Sequence, residues 1–487
     1  MMRVLLFLIL LFLCSGRAHA EWRRAESDNF IIYAELAEAE LRETALRLER
    51  FDRVLRLRAG VVGPPGPVKF RIHYVARPGD VRDLMEDAPR GAAGFYEPAL
   101  RGPVAVVPRR TPGARGYGLG AEEILFHEYA HHFMLQYFPA TYPAWYVEGF
   151  AEFFQTAEFA EDGSILVGGV SPNRALGLVW EQWVPYRQLL ANERDHGFNA
   201  YTQGWLLTHY AVFNESAGAT LRAYLAAIHA GQSGAEAYAA TFGRADTPLD
   251  RTLQEYMRQR RLPGMRITLR DFTPGPVTVT RLSEAEGETA VLSAGDPGAR
   301  ARRAARNAER YPDHPQAHVE LAFSALASED FTAAETAADR ALALDANHVE
   351  ANLVKGLALI GAAGASDDAD DARWARGRGH LVRANNADHD NAAPLFGYFM
   401  SFPERRDSPD NALAALERAF DLVPQNPEVR LTLAGEYLRD GRFREASILV
   451  MPLVQSVHES EGRAAAQRML TEAQQGLAGS ATAAGEE

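Results

Sequence analysis

Residues 124–135, ILFHEYAHHFML, are apolar on nearly every side of a helix, yet the stretch carries three histidines and a glutamate. Ile124, Leu125, Phe126, Phe133 and Leu135 leave such a helix no solvent face, so it belongs inside a core. Imidazoles and a carboxylate buried there are costly unless a metal or hydrogen-bond partners meet them. His127 and His131 stand four residues apart, one above the other on a single helix face, with Glu128 beside them. Two neutral imidazoles at this spacing supply two corners of a tetrahedral zinc site. Glu128 is displaced from that line and is free to act as a base on water. His132 points off the ligand face and is expected to be structural.

A third ligand is required. Residues 143–153 read as a second helix, with Pro143 suited to its first turn and Glu148 and Glu152 one turn apart. Glu148 is the expected third ligand, which leaves the fourth position open for water. Zinc in such a site lowers the pKa of its water to about 7. Glu152 is the expected partner of a ligand histidine, holding its tautomer through the other ring nitrogen.

Trp145 to Glu152, WYVEGFAE, resembles the second signature of gluzincin metallopeptidases, which in the aminopeptidase N family runs W-x-N-E-G-F-A-E and carries the third zinc ligand on its first Glu. The match falls on Trp145, Glu148, Gly149, Phe150, Ala151 and Glu152. Val147 stands in place of the usual Asn, and the spacer from His131 to Glu148 is shorter than in thermolysin or the aminopeptidases. In layout the chain is most similar to the peptidase MA-like proteins of bacteria, over residues 27–260. Gly91, Ala92, Ala93 and Gly94 give only a distant echo of a GAMEN exopeptidase motif. The resemblance implies a Zn2+ peptidase acting on a peptide or protein, with Glu128 as general base. It also implies a Tyr or His that stabilises the oxyanion, for which Tyr201, His209 and Tyr210 are the candidates, the choice staying open. The sheet edge that pairs with extended substrate would be residues 104–107.

A chain of 487 residues with 47% hydrophobic content is expected to form two or three domains. Residues 1–20 read as a secretory signal peptide: Arg3, an apolar run from Val4 to Leu13, then Ala18, His19, Ala20 before Glu21. An uncleaved anchor is the competing reading, but the run is short for a bilayer span. The expected destination is the periplasm, with no stable membrane insertion after cleavage. Cys14 is the sole cysteine, so no disulfide is expected. The net charge of -13 argues against nucleic acid as a partner.

Residues 29–33 and 68–75 read as strands, 36–57 as a helix, and 181–260 as mostly helical. His73 is expected to be a solvated strand residue, not a ligand. The glycine-rich stretch 111–120 is either a mobile rim over the cleft or a plain connector. Residues 267–272 and 277–282 suggest a terminal hairpin, and 283–298 a linker.

The C-terminal third fits the tetratricopeptide pattern. Residues 315–346 place Leu321, Ala322, Ala325, Ala334, Ala338 and Ala341 where paired helices approach, and 427–453 repeat it with Leu433, Ala434, Tyr437 and Ala446. Ala412 and Ala446 are 34 residues apart, the period of that repeat. Poorer copies occupy 349–389, with an Asp- and Gly-rich insert at 364–371, and 392–424. An Ala-rich bundle without repeats is the alternative. The expected architecture is thus an α+β gluzincin-like metallopeptidase domain over 21–282, an all-α tetratricopeptide solenoid over 299–475 that docks a protein partner, and a disordered tail from 476 to 487. Such a solenoid is quasi-independent, so a chain ending near Leu282 is expected to fold alone. The function expected is an exported zinc peptidase. The alternative is a repeat scaffold whose metal site is structural or inactive.

Overall fold

The computed structural model describes residues 21–85, 94–109, 120–138, 142–180, 182–192, 196–366, 371–402, 409–454 and 461–484. The expected signal peptide, residues 91–93, residues 111–119 of the glycine-rich stretch and residues 367–370 of the insert at 364–371 lie outside these.

In chain order, β1 (Arg23–Glu26) and β2 (Phe30–Ala34) lead into α1 (Glu38–Ala59). Then come β3 (Phe70–Val75), the short α2 (Pro78–Arg82), β4 (Phe95–Glu97) and β5 (Val104–Pro108). The helices α3 (Ala121–Tyr137) and α4 (Ala144–Gln155) follow. The next strands, β6 (Glu158–Phe159) and β7 (Ser164–Val167), precede α5 (Pro172–Trp180), α6 (Tyr186–Ala191), α7 (Phe198–Phe213), α8 (Glu215–His229), α9 (Gly234–Ala240) and α10 (Leu249–Met257). Strands β8 (Met265–Thr268) and β9 (Thr278–Arg281) close this half.

A six-stranded mixed sheet runs β4-β5-β3-β2-β1-β9, with β2, β3 and β5 parallel and the outer pairings antiparallel. Every residue of β5 is buried, because a central strand of this kind is covered on both faces. On one face Phe30, Ile32, Phe70 and Ile72 join Leu41, Leu48, Phe51 and Leu55 of α1 and Phe126 and Phe133 of α3 in one core. The apolar residues of α1 recur at helical spacing because that stripe lies on the sheet. A second sheet, β6-β7-β8, is small.

The other half is helical: α11 (Glu284–Ser293), α12 (Ala301–Arg310), then the pairs α13 (Pro315–Ala327) with α14 (Phe331–Leu344), α15 (Val349–Gly364) with α16 (Asp371–Ala387), α17 (Ala392–Met400) with α18 (Asp410–Leu422), and α19 (Pro427–Arg439) with α20 (Phe443–Val454), followed by α21 (Glu461–Ala484). Ala322, Ala334, Ala338, Ala341, Ala412, Ala434 and Ala446 are buried where these helices meet. Their small side chains allow the close approach.

Five expectations are corrected. The segment 283–298 is no linker: Ser283 and Glu286 form a capping box that starts α11, whose Val291 and Leu292 pack with Val75, Val104 and Val106 on the second face of the large sheet. The last two strands are not a hairpin, since β8 pairs with β7 and β9 with β1. Residues 104–107 are not a sheet edge, because β5 lies between β4 and β3; among the described strands the edge on that side is β4. The tail from Gly476 continues α21 to Ala484, with Gly476 against the ring of Phe443. His73 is not solvated. It is fully buried, stacked 4.9 Å from the Tyr33 ring on the sheet face turned away from α3. Burial and the nearby charges of Arg71 and Arg101 push its pKa well down.

Candidate metal centre

α3 is anchored before any ligand is considered. Glu123 accepts the Gly120 backbone N–H at 2.6 Å and closes the first turn, while Phe126 stacks on Phe51 of α1 at 4.3 Å. The Tyr129 hydroxyl donates to Asp52 Oδ1 at 2.7 Å, and Arg56 Nε donates to Asp52 Oδ2 at 2.6 Å. Arg56 also donates to the Tyr137 hydroxyl. This buried polar tie spans α3 from its middle to its end, so its rotation about its own axis is fixed against α1. α4 crosses α7 at Gly149 and Gly204, a contact that sets the height of Glu148.

Three side-chain atoms converge between α3 and α4. His127 Nε2 and His131 Nε2 are 3.0 Å apart, and Glu148 Oε2 is 3.3 Å from the first and 3.5 Å from the second. A tetrahedral ion with bonds of about 2.0–2.1 Å holds its ligand atoms about 3.3 Å from one another, so the triangle has the size of one face of a zinc shell. Glu148 Oε2 is buried with no hydrogen bond of good geometry, as a ligand oxygen would be. Among the described residues, His127, His131 and Glu148 are the group whose donor atoms lie close enough to share an ion. The residues fit zinc.

The electrostatics express the same crowding. Burial disfavours charge on His127, but the contact with Glu148 and the charges of Glu152 and Glu128 outweigh it and raise its pKa to about 9. Burial also opposes ionisation of Glu148, yet the two imidazoles hold its carboxyl well below the usual range. Glu128 moves the other way: burial lifts it, against the pull of His127 and His131. A raised carboxyl beside the histidine pair is suited to accept a proton.

Glu152 is fully buried, and its Oε1 lies 3.5 Å from His127 Nδ1, the nitrogen opposite the triangle. Gln155 donates to its other oxygen. Tyr201 of α7 lies parallel to the His127 ring with centroids 6.1 Å apart. His209 and Tyr210 are elsewhere, which corrects their candidacy. His209 is fully buried; its Nε2 bonds the carbonyls of Gly168 and Pro263 at 3.1 and 3.0 Å, and its Nδ1 meets the Tyr256 hydroxyl at 2.9 Å. Both nitrogens are committed to joining α7, α10 and the loops around them. Tyr210 packs edge-on against Tyr256 at 4.9 Å. On α7 they fall two turns beyond Tyr201, a distance that spacing alone does not convert into a direction. His132 is buried, 3.4 Å from the Tyr96 hydroxyl, and burial pushes its pKa down to about 3.

Sequence reasoning passed over Tyr96. It sits on β4, the strand edge that runs along α3, and the charge of Glu128 adds to burial in pushing its phenol well up. Its only signal was an aromatic on a short strand upstream of the metal helix.

Residues 406–470 match the tetratricopeptide repeat family. A comparison with curated proteins gives no match. Among solved structures, a thermophilic TPR protein of Thermus thermophilus is 21% identical, with 36% of this chain and 91% of that one covered at a TM-score of 0.33. The chain carries a tetratricopeptide repeat. Among the described residues no helix is long and apolar enough to cross a membrane.

Proposed function

We propose that the chain is a zinc-dependent peptidase of gluzincin type, with a tetratricopeptide array that docks proteins. The observation that carries this reading is the triangle of His127 Nε2, His131 Nε2 and Glu148 Oε2, sized for a tetrahedral ion. Zinc bound there would polarise a peptide carbonyl and make water acidic enough to attack it near neutral pH. Glu128, half-buried beside the proposed ligands with a raised pKa, takes the proton of the attacking water and returns it to the leaving amine. Glu152 orients His127 through Nδ1. Tyr201, beside the His127 ring, is the group assigned to the oxyanion. Substrate would extend along β4, the sheet edge on the α3 side.

The match over 406–470 favours a second reading, in which the repeats carry the function as an interaction scaffold and the metal site is structural or inactive. An intact Glu128 speaks for the enzyme, since a structural site has no use for a base. The deciding experiment is zinc content together with peptide-library cleavage on the purified protein. One zinc per chain with cleavage supports the peptidase. Zinc without cleavage of any peptide supports the scaffold.

A further inference from the structure

Between β4 and β5 the chain leaves the sheet as a turn, residues 98–103, PALRGP, and enters the helical array. The carbonyl of Pro98 accepts a hydrogen bond from Asn426 Nδ2 at 2.8 Å, at the start of α19. Leu100 packs against two apolar clusters of the array at once. Arg101 lies 4.2 Å over the Phe323 ring of α13. Its guanidinium donates to Glu350 Oε1 on α15 at 3.0 Å and to the Ser293 carbonyl at 3.0 Å, with Glu320 of α13 at 3.9 Å.

The acidic receptor for Arg101 is itself fixed. Gln316 Nε2 donates to Glu320 at 2.6 Å and to Glu350 at 2.5 Å, and Arg300 pairs with the other oxygen of Glu320. Glu320, Phe323, Glu350 and Asn426 all belong to the first helix of a pair or its cap. A helical-repeat solenoid offers an extended face of this kind to a ligand, and here the chain lays one of its own turns on it.

The turn begins where β4 ends. Among the described residues that strand pairs with β5 alone, through Phe95, Tyr96 and Glu97, and Gly94 and Tyr96 lie along α3, against Ile124 and beside His132. We propose that the array is a clamp on the β4 edge: by holding residues 98–103 it fixes the strand along which a peptide would pair beside the metal centre. The inference rests on the peptidase reading for the role of β4, but not for the mechanical coupling. Arg101 and Asn426 are positioning residues in this scheme, acting on substrate only through the strand.

The test is hydrogen exchange across residues 94–106 in the full-length protein, comparing wild type with Arg101→Lys and Asn426→Asp. The lysine keeps the charge but loses the fork and the ring stack. The aspartate keeps the oxygen that caps α19 and loses the amide donor to Pro98. Both should raise exchange at residues 95–97 about tenfold, with α14 and α18 unchanged, and should raise KM more than they lower kcat on any peptide found to be cleaved. Faster exchange confined to residues 98–103 overturns the clamp. If Arg101→Lys loosens the whole array, Asn426→Asp decides by the same criterion. Coupled exchange in a protein that cleaves nothing supports the clamp and sinks the peptidase reading.

Discussion

A Cβ placed on Gly149 would lie 2.4 Å from the carbonyl oxygen of Gly204, and one placed on Gly204 would lie 2.3 Å from the carbonyl oxygen of Trp145. Helices α4 and α7 therefore touch backbone to backbone, and Glu148 sits one residue from the contact. Gly149→Ala should force α4 outward and carry Glu148 off the histidine pair. The expected result is a folded protein whose zinc affinity drops at least tenfold in chelator competition. Wild-type affinity in that variant would show that the crossing does not set the ligand.

Glu148→Ala removes the third donor and leaves two imidazoles whose Nε2 atoms are 3.0 Å apart. Zinc content should fall from close to one per chain to a small fraction, since a two-His site binds weakly. Full occupancy would place the third ligand on another residue.

Glu128→Gln keeps the shape of the side chain and removes its proton acceptor. Metal content and thermal stability should stay near wild type, while turnover falls roughly 10²- to 10⁴-fold. Cleavage of a confirmed substrate at the wild-type rate would contradict the assigned base.

A chain ending at Leu282 tests the union of the two halves. It lacks α11, so Val104 and Val106 lose Val291 and Leu292, and Arg101 loses both Glu320 and Glu350. Arg101 becomes solvated once that cover is gone, so the cost falls on the sheet, whose apolar residues Val75, Val104 and Val106 are left facing water. Against the expectation of a quasi-independent solenoid, the truncated chain should be insoluble or unfold without cooperativity, because α11 covers the second face of the sheet. A soluble, zinc-binding product would show that the sheet holds without its helical cover.

His209 sets a pH dependence whose sign is fixed by burial, which pushes its pKa down to about 4 against the two carbonyls that favour its N–H. The unfolded chain takes up this proton below about 6.5. Stability is thus fully present above that pH and falls as the pH drops toward 4, by about 1.4 kcal/mol per unit for this group. His209→Gln should reduce the slope of unfolding free energy between those limits by one proton. An unchanged slope would mean that His209 is protonated in the fold.

The two helices of the candidate site were legible because their signals are local: a pair of histidines one turn apart in an apolar helix, then two glutamates one turn apart in the next. The repeats were legible for a similar reason, the spacing of small residues such as Ala412 and Ala446. What escaped was set by distant chain. His73 alternates like a solvated strand residue, and its burial comes from the cover over the second face of the sheet, where Arg71 and Arg101 also lie. The edge role passed from β5 to β4 because sheet order is a non-local property that strand patterning does not encode. The start of α11 could have been read, since Ser283 and Glu286 have the spacing of a capping box. The fates of Tyr201 and His209 could not, because their shared helix is buried on nearly all sides.

The pairing of β1 with β9 joins residues 23–26 to residues 278–281. A ribosome adding about 5–20 residues per second leaves the outer edge of β1 without its neighbour for on the order of tens of seconds. During that wait the row of unpaired amides is a template for joining another nascent chain. Arg23, Arg24 and Glu26 put charge on both faces of that strand, and a charged edge is a poor template, so the guard is written into the four residues whose strand partner is made last.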